Sequence, residues 1–224
     1  ITIFKPEFDL YSSLNKNKTH YFGHPICLEI QKRTSQSNTP FFIGIFPGSR
    51  HGEVHHHLPI MLKIIQYLAK FKFVIFCEQP SLHPVIEHYL SLNNLSHIEI
   101  RTKLDLSIDY AITAPGTNSL KLALQGFPLT IIGYLNFWVY LIAKYILRLN
   151  VNFIGLPNII LNRRVFPEFI QPKLNEFKNI GNQVLSFFEN LNRDQYYKDD
   201  FKALEDITFA PENYYEKVAD LIIK

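Results

Sequence analysis

The sequence predicts an α/β protein, a Rossmann-like parallel sheet with flanking helices followed by a mostly helical C-terminal segment. Three observations carry the prediction. From Phe41 onward, short apolar runs alternate with longer helix-like stretches, the pattern of buried strands joined by crossover helices. Two of the runs end in glycine-containing turns, Pro47-Gly48-Ser49-Arg50 and Ala114-Pro115-Gly116-Thr117-Asn118-Ser119. Beyond Pro157 the strand signals fade and helical patterns take over.

Each element follows from its local pattern. Residues Ile1 to about Ile30 hold scattered apolar positions, a short extended run at Tyr21-Phe22 and the turn Gly23-His24-Pro25, and 34–40 is a polar linker. Strands are expected at Phe42–Phe46, Phe73–Cys77, Ile98–Ile100, Tyr110–Thr113 and Leu129–Ile132, with helices at about His55–Lys70, Pro84–Asn93 and Asn118–Gln125. Gly126 suits a helix C-cap, because glycine accepts the left-handed backbone such a cap requires, and Pro128 then restarts the chain. Later helices are expected near Lys173–Asn190, Arg193–Leu204 and Pro211–Lys224. These patterns divide the chain into 1–40, an α/β domain over 41–171, and C-terminal helices over 172–224.

Asn136–Arg148 is the most apolar helix candidate, with Asn136, Tyr140, Lys144 and Arg148 forming a narrow polar stripe. A membrane span needs about 20 predominantly apolar residues. The window from Leu129 is interrupted by Gly133, Asn136 and Lys144, which favours burial against the sheet or contact with a membrane surface over spanning.

Composition narrows the function classes. The 224 residues suffice for one large or two small domains, and 23 Lys and Arg against 20 Asp and Glu leave a net charge of +3. That charge is too small and dispersed to argue for nucleic acid, yet it does not repel an anionic substrate or lipid headgroup. The 2 cysteines, Cys27 and Cys77, lie far apart with no metal spacing, so a disulfide framework is not expected and a reducing cytosol is. The chain starts at Ile1 with no signal-peptide pattern, which suggests a processed product or a fragment rather than an exported precursor.

The two turns carry the chemistry. In a parallel sheet such turns gather at the carboxyl ends of the strands, where helix N-termini present free N–H groups to an anion. Gly48 permits a sharp turn, Ser49 can cap the following helix, and Arg50 offers planar charged donors to phosphate. At the second turn Gly116 allows close backbone approach, while Thr117, Asn118 and Ser119 supply hydroxyl, amide and N–H groups at a helix start. Together they suggest a split phosphate site. No Gly-Lys-Ser or Gly-Lys-Thr tail follows Gly48, which excludes a Walker-type loop.

Other motifs are weaker. His51, His55, His56 and His57 invite a metal reading, but the zincin order His-Glu-x-x-His and the Pro-Cys-x-x-Cys half of a zinc-deaminase signature are both missing, so no metal and no cofactor is expected. No Gly-x-Ser-x-Gly elbow occurs, and the pairs Asp199-Asp200 and Glu205-Asp206 lie in polar helical surroundings.

Read in order, several segments resemble the lipid-A-disaccharide synthase family, glycosyltransferases of the GT-B type. They are Tyr21-Phe22-Gly23-His24-Pro25, Phe46-Pro47-Gly48-Ser49-Arg50-x-x-Glu53, Gly116-Thr117-x-x-Leu120, Gly126-x-Pro128, Tyr134, Ile142-Ala143-Lys144, Leu156-Pro157-Asn158, and Arg163 followed by Pro167-Glu168-x-x-Gln171. The resemblance implies transfer of 2,3-diacylglucosamine from UDP-2,3-diacylglucosamine to 2,3-diacylglucosamine 1-phosphate. It also implies a bacterial cytoplasmic protein, peripheral at the inner face of the inner membrane. A GT-B enzyme has two Rossmann-like halves, and this chain looks like the C-terminal half that binds the UDP donor. By that analogy Gly48, Ser49, Arg50 and Glu53 lie at the donor cleft, Arg50 supplying electrostatic support to the chemistry. Gly116, Thr117, Asn118 and Ser119 meet the diphosphate or ribose, and Asn158, Arg163, Glu168 and Gln171 are candidate donor or cleft contacts.

The sequence departs from the family in two respects. The N-terminal half, with its glycine-rich motif and proposed catalytic Asp, is not in this chain, so the acceptor site and general base are expected outside it. Lys121 stands where the family usually has Glu, and Lys cannot accept hydrogen bonds from ribose hydroxyls. Pro115, where Ser is common, removes one N–H. Two alternatives therefore stand beside the donor-binding half: a degenerate nucleotide-binding or membrane-associated module, and another GT-B relative such as a UDP-sugar epimerase.

Overall fold

Six strands, all parallel, form one sheet in the order β3-β2-β1-β4-β5-β6: β1 Phe42–Phe46, β2 Lys72–Phe76, β3 Glu99–Arg101, β4 Tyr110–Thr113, β5 Leu129–Gly133 and β6 Glu168–Ile170. This is the Rossmann order, whose direction reverses between β1 and β4 and leaves a crevice at their carboxyl ends. The computed structural model describes residues 1–14, 18–33, 41–104, 107–134, 153–173, 175–190 and 195–223. The apolar helix candidate Asn136–Arg148 lies outside the described residues.

The central strands β4 and β5 are buried along their whole lengths, as expected of a sheet covered on both faces. Side chains alternate between two cores with the period of two that a strand imposes. Ile43, Ile45, Ile75, Tyr110, Ile112 and Ile132 face one core, and Phe46, Val74, Phe76, Ala111, Leu129 and Ile131 face the other.

The described α-helices are α1 Lys5–Leu14, α2 His51–Ile65, α3 His83–Leu92, α4 Thr117–Leu124, α5 Leu156–Leu161, α6 Glu176–Glu189, α7 Lys198–Thr208 and α8 Tyr214–Ile223. α2 packs against α3 and α6 over the first core, while α4, α5 and α7 pack together over the second. α6 contributes the stripe Phe177, Ile180, Val184 and Phe188, spaced three and four apart so that all meet the sheet. Burying each such side chain stabilises the fold by about 1.5–3 kcal/mol.

The expected strands form within a residue or so of their predicted limits. α2 starts earlier than the predicted His55, at His51, and ends at Ile65 before a short 3-10 turn at Gln66–Leu68. Three elements were not anticipated. β6 is only three residues long and opens with a charged residue, and α5 is a short helix with Pro157 in its first turn. α1 buries none of its residues, so it leaves no strong periodic signature. Gly126 caps α4 at φ +88, the N–H groups of Gly126 and Phe127 donating to the carbonyls of Ala123 and Leu122 at 2.9 and 3.0 Å. That is the Schellman arrangement, which only a residue at ease with positive φ permits.

A candidate nucleotide cleft at the strand reversal

The β1 turn is shaped by one glycine and one carboxylate. Gly48 sits at φ +118, and a Cβ there would lie 2.5 Å from Cβ of Glu53 and 2.6 Å from its Oε2. With no side chain at 48, Glu53 folds back under the turn and accepts from the Ser49 N–H at 2.8 Å and the Arg50 N–H at 3.3 Å. The N-cap of α2 is therefore Arg50, not Ser49 as the sequence suggested, and Glu53 satisfies the exposed donors by reaching back from the third helical position. The Arg50 guanidinium also donates to Glu53 at 2.9 Å while its side chain remains 82% exposed. Such an exposed pair contributes about 0–1 kcal/mol, and a guanidinium has five N–H donors. Arg50 can thus bind an anion without a large energetic loss.

The β4 turn is open where the β1 turn is filled. Gly116 is the N-cap of α4 at φ +124, and among the described residues a Cβ there would meet nothing within 4 Å. Backbone conformation rather than crowding by the described residues requires glycine. Thr117 is exposed and Asn118 half-buried. Ser119 is fully buried and donates its hydroxyl to the Gly116 carbonyl at 2.7 Å, so it braces the turn from below.

Both turns open into one groove. Its walls are Gly48 and Ser49 from the first turn and Asn118, Lys121 and Leu122 from α4, with Glu78 and Thr102 following β2 and β3. Phe46 and Phe76 lie at its floor, rings stacked 4.9 Å apart at 15°. The convergence follows from β1 and β4 being neighbours, with Phe46 opposite Thr113. Glu78 and Phe76 carry no sequence motif and enter the groove through topology alone.

Of the later motif, Asn158 and Glu168 are internal. Asn158 is fully buried. It donates to the Phe166 carbonyl at 2.8 Å and to Glu168, and accepts from the N–H groups of Val165 and Phe166, both at 2.9 Å. Glu168 accepts from the N–H groups of Ile154 and Gly155 at 2.6 and 3.1 Å. These bonds hold the start of α5 to β6. Arg163 is drawn to Asp200 on α7. Gln171, at φ +46 just past β6, donates its N–H to the Gly133 carbonyl at 2.8 Å, which places it at the carboxyl edge of the sheet.

The histidine run is used piecewise. His55 Nδ1 meets the Tyr89 hydroxyl, and His56 stacks on Tyr134 at 4.2 Å. His57, with 6% exposure, holds Nδ1 at 2.8 Å from the Glu53 carbonyl and accepts the Tyr134 N–H on Nε2 at 3.2 Å. It therefore ties the end of β5 to α2. Among the described residues no group of three His, Cys, Asp or Glu side chains is placed to hold a metal ion.

Burial lowers the His57 imidazole below its ordinary 6.5, outweighing the raising influence of the Glu53 carbonyl and carboxylate, and burial lowers His24 as well. The unfolded chain binds protons at these sites below about pH 6.5 while the folded chain does not, so stability falls as pH drops below that value and stops falling once the folded sites also titrate. Urea midpoints measured between pH 7.5 and 5.5 should decline for the parent and decline less for His57→Asn. Equal slopes in the two proteins would refute this assignment.

Comparison with known proteins agrees with the motifs. A family model described as lipid-A-disaccharide synthetase matches residues 1–220. Lipid-A-disaccharide synthase 1 of Legionella pneumophila strain Philadelphia 1 is 31% identical over 197 residues, covering 76% of this chain and 50% of that protein. The Chlamydia pneumoniae lipid-A-disaccharide synthase is 31% identical over 173 residues, covering 70% and 28%. The Legionella strain Paris protein, at 29% identity, is covered over 48% of its length, so the chain spans about half the length of such relatives. Among solved structures, a GtfA/B complex superposes with a TM-score of 0.52 at 9% identity, covering 98% of this chain and 44% of that one, a likeness of fold alone. With the model match running almost end to end, the chain belongs to the lipid-A-disaccharide synthetase family.

Proposed function

We propose that this chain is the donor-binding half of a lipid-A-disaccharide synthase. In the reaction the acceptor hydroxyl of 2,3-diacylglucosamine 1-phosphate attacks the anomeric carbon of UDP-2,3-diacylglucosamine. The bond to the diphosphate breaks, UDP leaves, and the hydroxyl proton passes to a base on the other half of the enzyme. The observation that carries this reading is a groove at the reversal of the sheet shared by the turn after β1 and the start of α4. UDP departs with growing negative charge, and preorganised donors aimed at that charge lower the barrier. The first turns of α2 and α4 supply N–H groups, and Arg50 supplies a guanidinium within the same turn.

The acceptor is a lipid, so the enzyme works as a peripheral protein at the cytoplasmic face of a bacterial inner membrane. Among the described residues no helix is long and apolar enough to cross a membrane. Calorimetric titration of UDP into the chain should give saturable binding, weakened about tenfold in Arg50→Ala by loss of a charge-assisted contact. A folded parent that takes up no UDP would refute this reading and favour a degenerate module.

A further inference from the structure

We propose that Glu78 is the ribose-hydroxyl acceptor of this groove and that Lys121 faces the phosphate side, so that a ribonucleoside diphosphate is selected by a carboxylate following β2 rather than by one on α4. The inference rests on the groove being a UDP site and deepens that reading.

The chain β1, glycine turn, α2, β2 is the first unit of a doubly wound sheet. In dinucleotide-binding units of this topology, whose turn reads Gly-x-Gly-x-x-Gly, an acidic residue further along takes hydrogen bonds from the ribose hydroxyls while the glycine turn meets the phosphates; here the turn is Pro47-Gly48-Ser49-Arg50, and Glu78 is the acid that follows the second strand. Glu78 stands two positions past Phe76, the last residue of β2, and Gly48 two positions past Phe46, the last of β1. Both line the same groove, with Lys121 on the α4 side. The chemistry separates their roles. An ionised carboxylate only accepts and has two oxygens for a cis-diol, whereas an ammonium only donates and suits phosphate oxygens. Among the described residues neither Glu78 nor Lys121 belongs to an ion pair, so both charges are available to a ligand. The stacked Phe46 and Phe76 rings beneath them give an apolar floor suited to the carbon face of a sugar.

The test is calorimetric titration of UDP and of 2′-deoxy-UDP into the parent chain, Glu78→Ala, Glu78→Gln and Lys121→Ala, each checked for folding by circular dichroism. The parent is expected to prefer UDP by about tenfold, the value of one hydrogen bond to a charged group. Glu78→Ala should bring the ratio to about one, Glu78→Gln, which keeps one acceptor oxygen, should fall between, and Lys121→Ala should weaken both ligands equally with the ratio preserved. A preference that survives in Glu78→Ala, or one lost in Lys121→Ala, overturns the inference while leaving the UDP site standing. A parent that binds neither nucleotide overturns both.

Discussion

Asn158→Ala is expected to lower the unfolding free energy by about 3–5 kcal/mol. The side chain is fully buried and makes four hydrogen bonds, two given and two received. Alanine would strand the Phe166 N–H, one carbonyl and one oxygen of the Glu168 carboxylate, while the Val165 N–H keeps the Arg163 carbonyl at 3.1 Å; each unsatisfied buried group costs about 1–3 kcal/mol, reduced where water enters. Asn158→Asp should be no milder, since it replaces the donor facing Glu168 with a second carboxylate. Urea denaturation measures both. A loss below about 1 kcal/mol in the alanine variant would show that the network is not what holds α5 to β6.

Gly23→Ala should be comparably damaging, at about 3 kcal/mol or more. Gly23 lies at φ +92, and a Cβ there would stand 1.8 Å from the Phe209 carbonyl oxygen and 2.8 Å from Cα of Ala210. Both neighbours are backbone, so no side-chain rotation relieves the overlap. The contact belongs to a clasp between the N-terminal segment and the end of α7. The His24 N–H donates to the Thr208 carbonyl at 2.9 Å, the Tyr21 hydroxyl to Ile207 at 2.7 Å, and the Cys27 thiol to Thr208 at 3.2 Å. Opening the clasp would expose Cys27, so a thiol reagent should label it faster in the variant. An unchanged labelling rate together with an unchanged urea midpoint would contradict the account.

The alternation of Ile43 and Ile45 with Phe46, and of Ile75 with Phe76, announces strands because a sheet covered on both faces needs apolar residues in both directions. β6 escapes the same reasoning, since its opening Glu168 is buried through hydrogen bonds to Ile154, Gly155 and Asn158 that no local pattern reveals. Gly48 and Gly116 were legible as turn residues because a strand running into a helix needs a backbone that few residues but glycine adopt. Asn158 and Glu168 share a motif with Arg163 and Gln171, and a motif does not distinguish a residue that meets a ligand from one that braces the chain. The partners that decide between these roles lie many positions away in sequence. Glu78 was invisible for a related reason: only the pairing of β2 with β1 brings it beside the glycine turn.

A bond network inside the site also changes how the turn after β1 is read. The Ser49 and Arg50 N–H groups at the entry to α2 are held by Glu53. The groups left to meet an anion on the proposed reading are the Arg50 side chain, the remaining first-turn N–H groups of α2 and the start of α4. The most direct test is a crystal structure of the chain soaked with UDP. The account predicts the diphosphate between the β1 turn and the start of α4, with the ribose on the Glu78 side of the groove. A diphosphate bound elsewhere on the chain, or a groove left empty at saturating UDP, would contradict it.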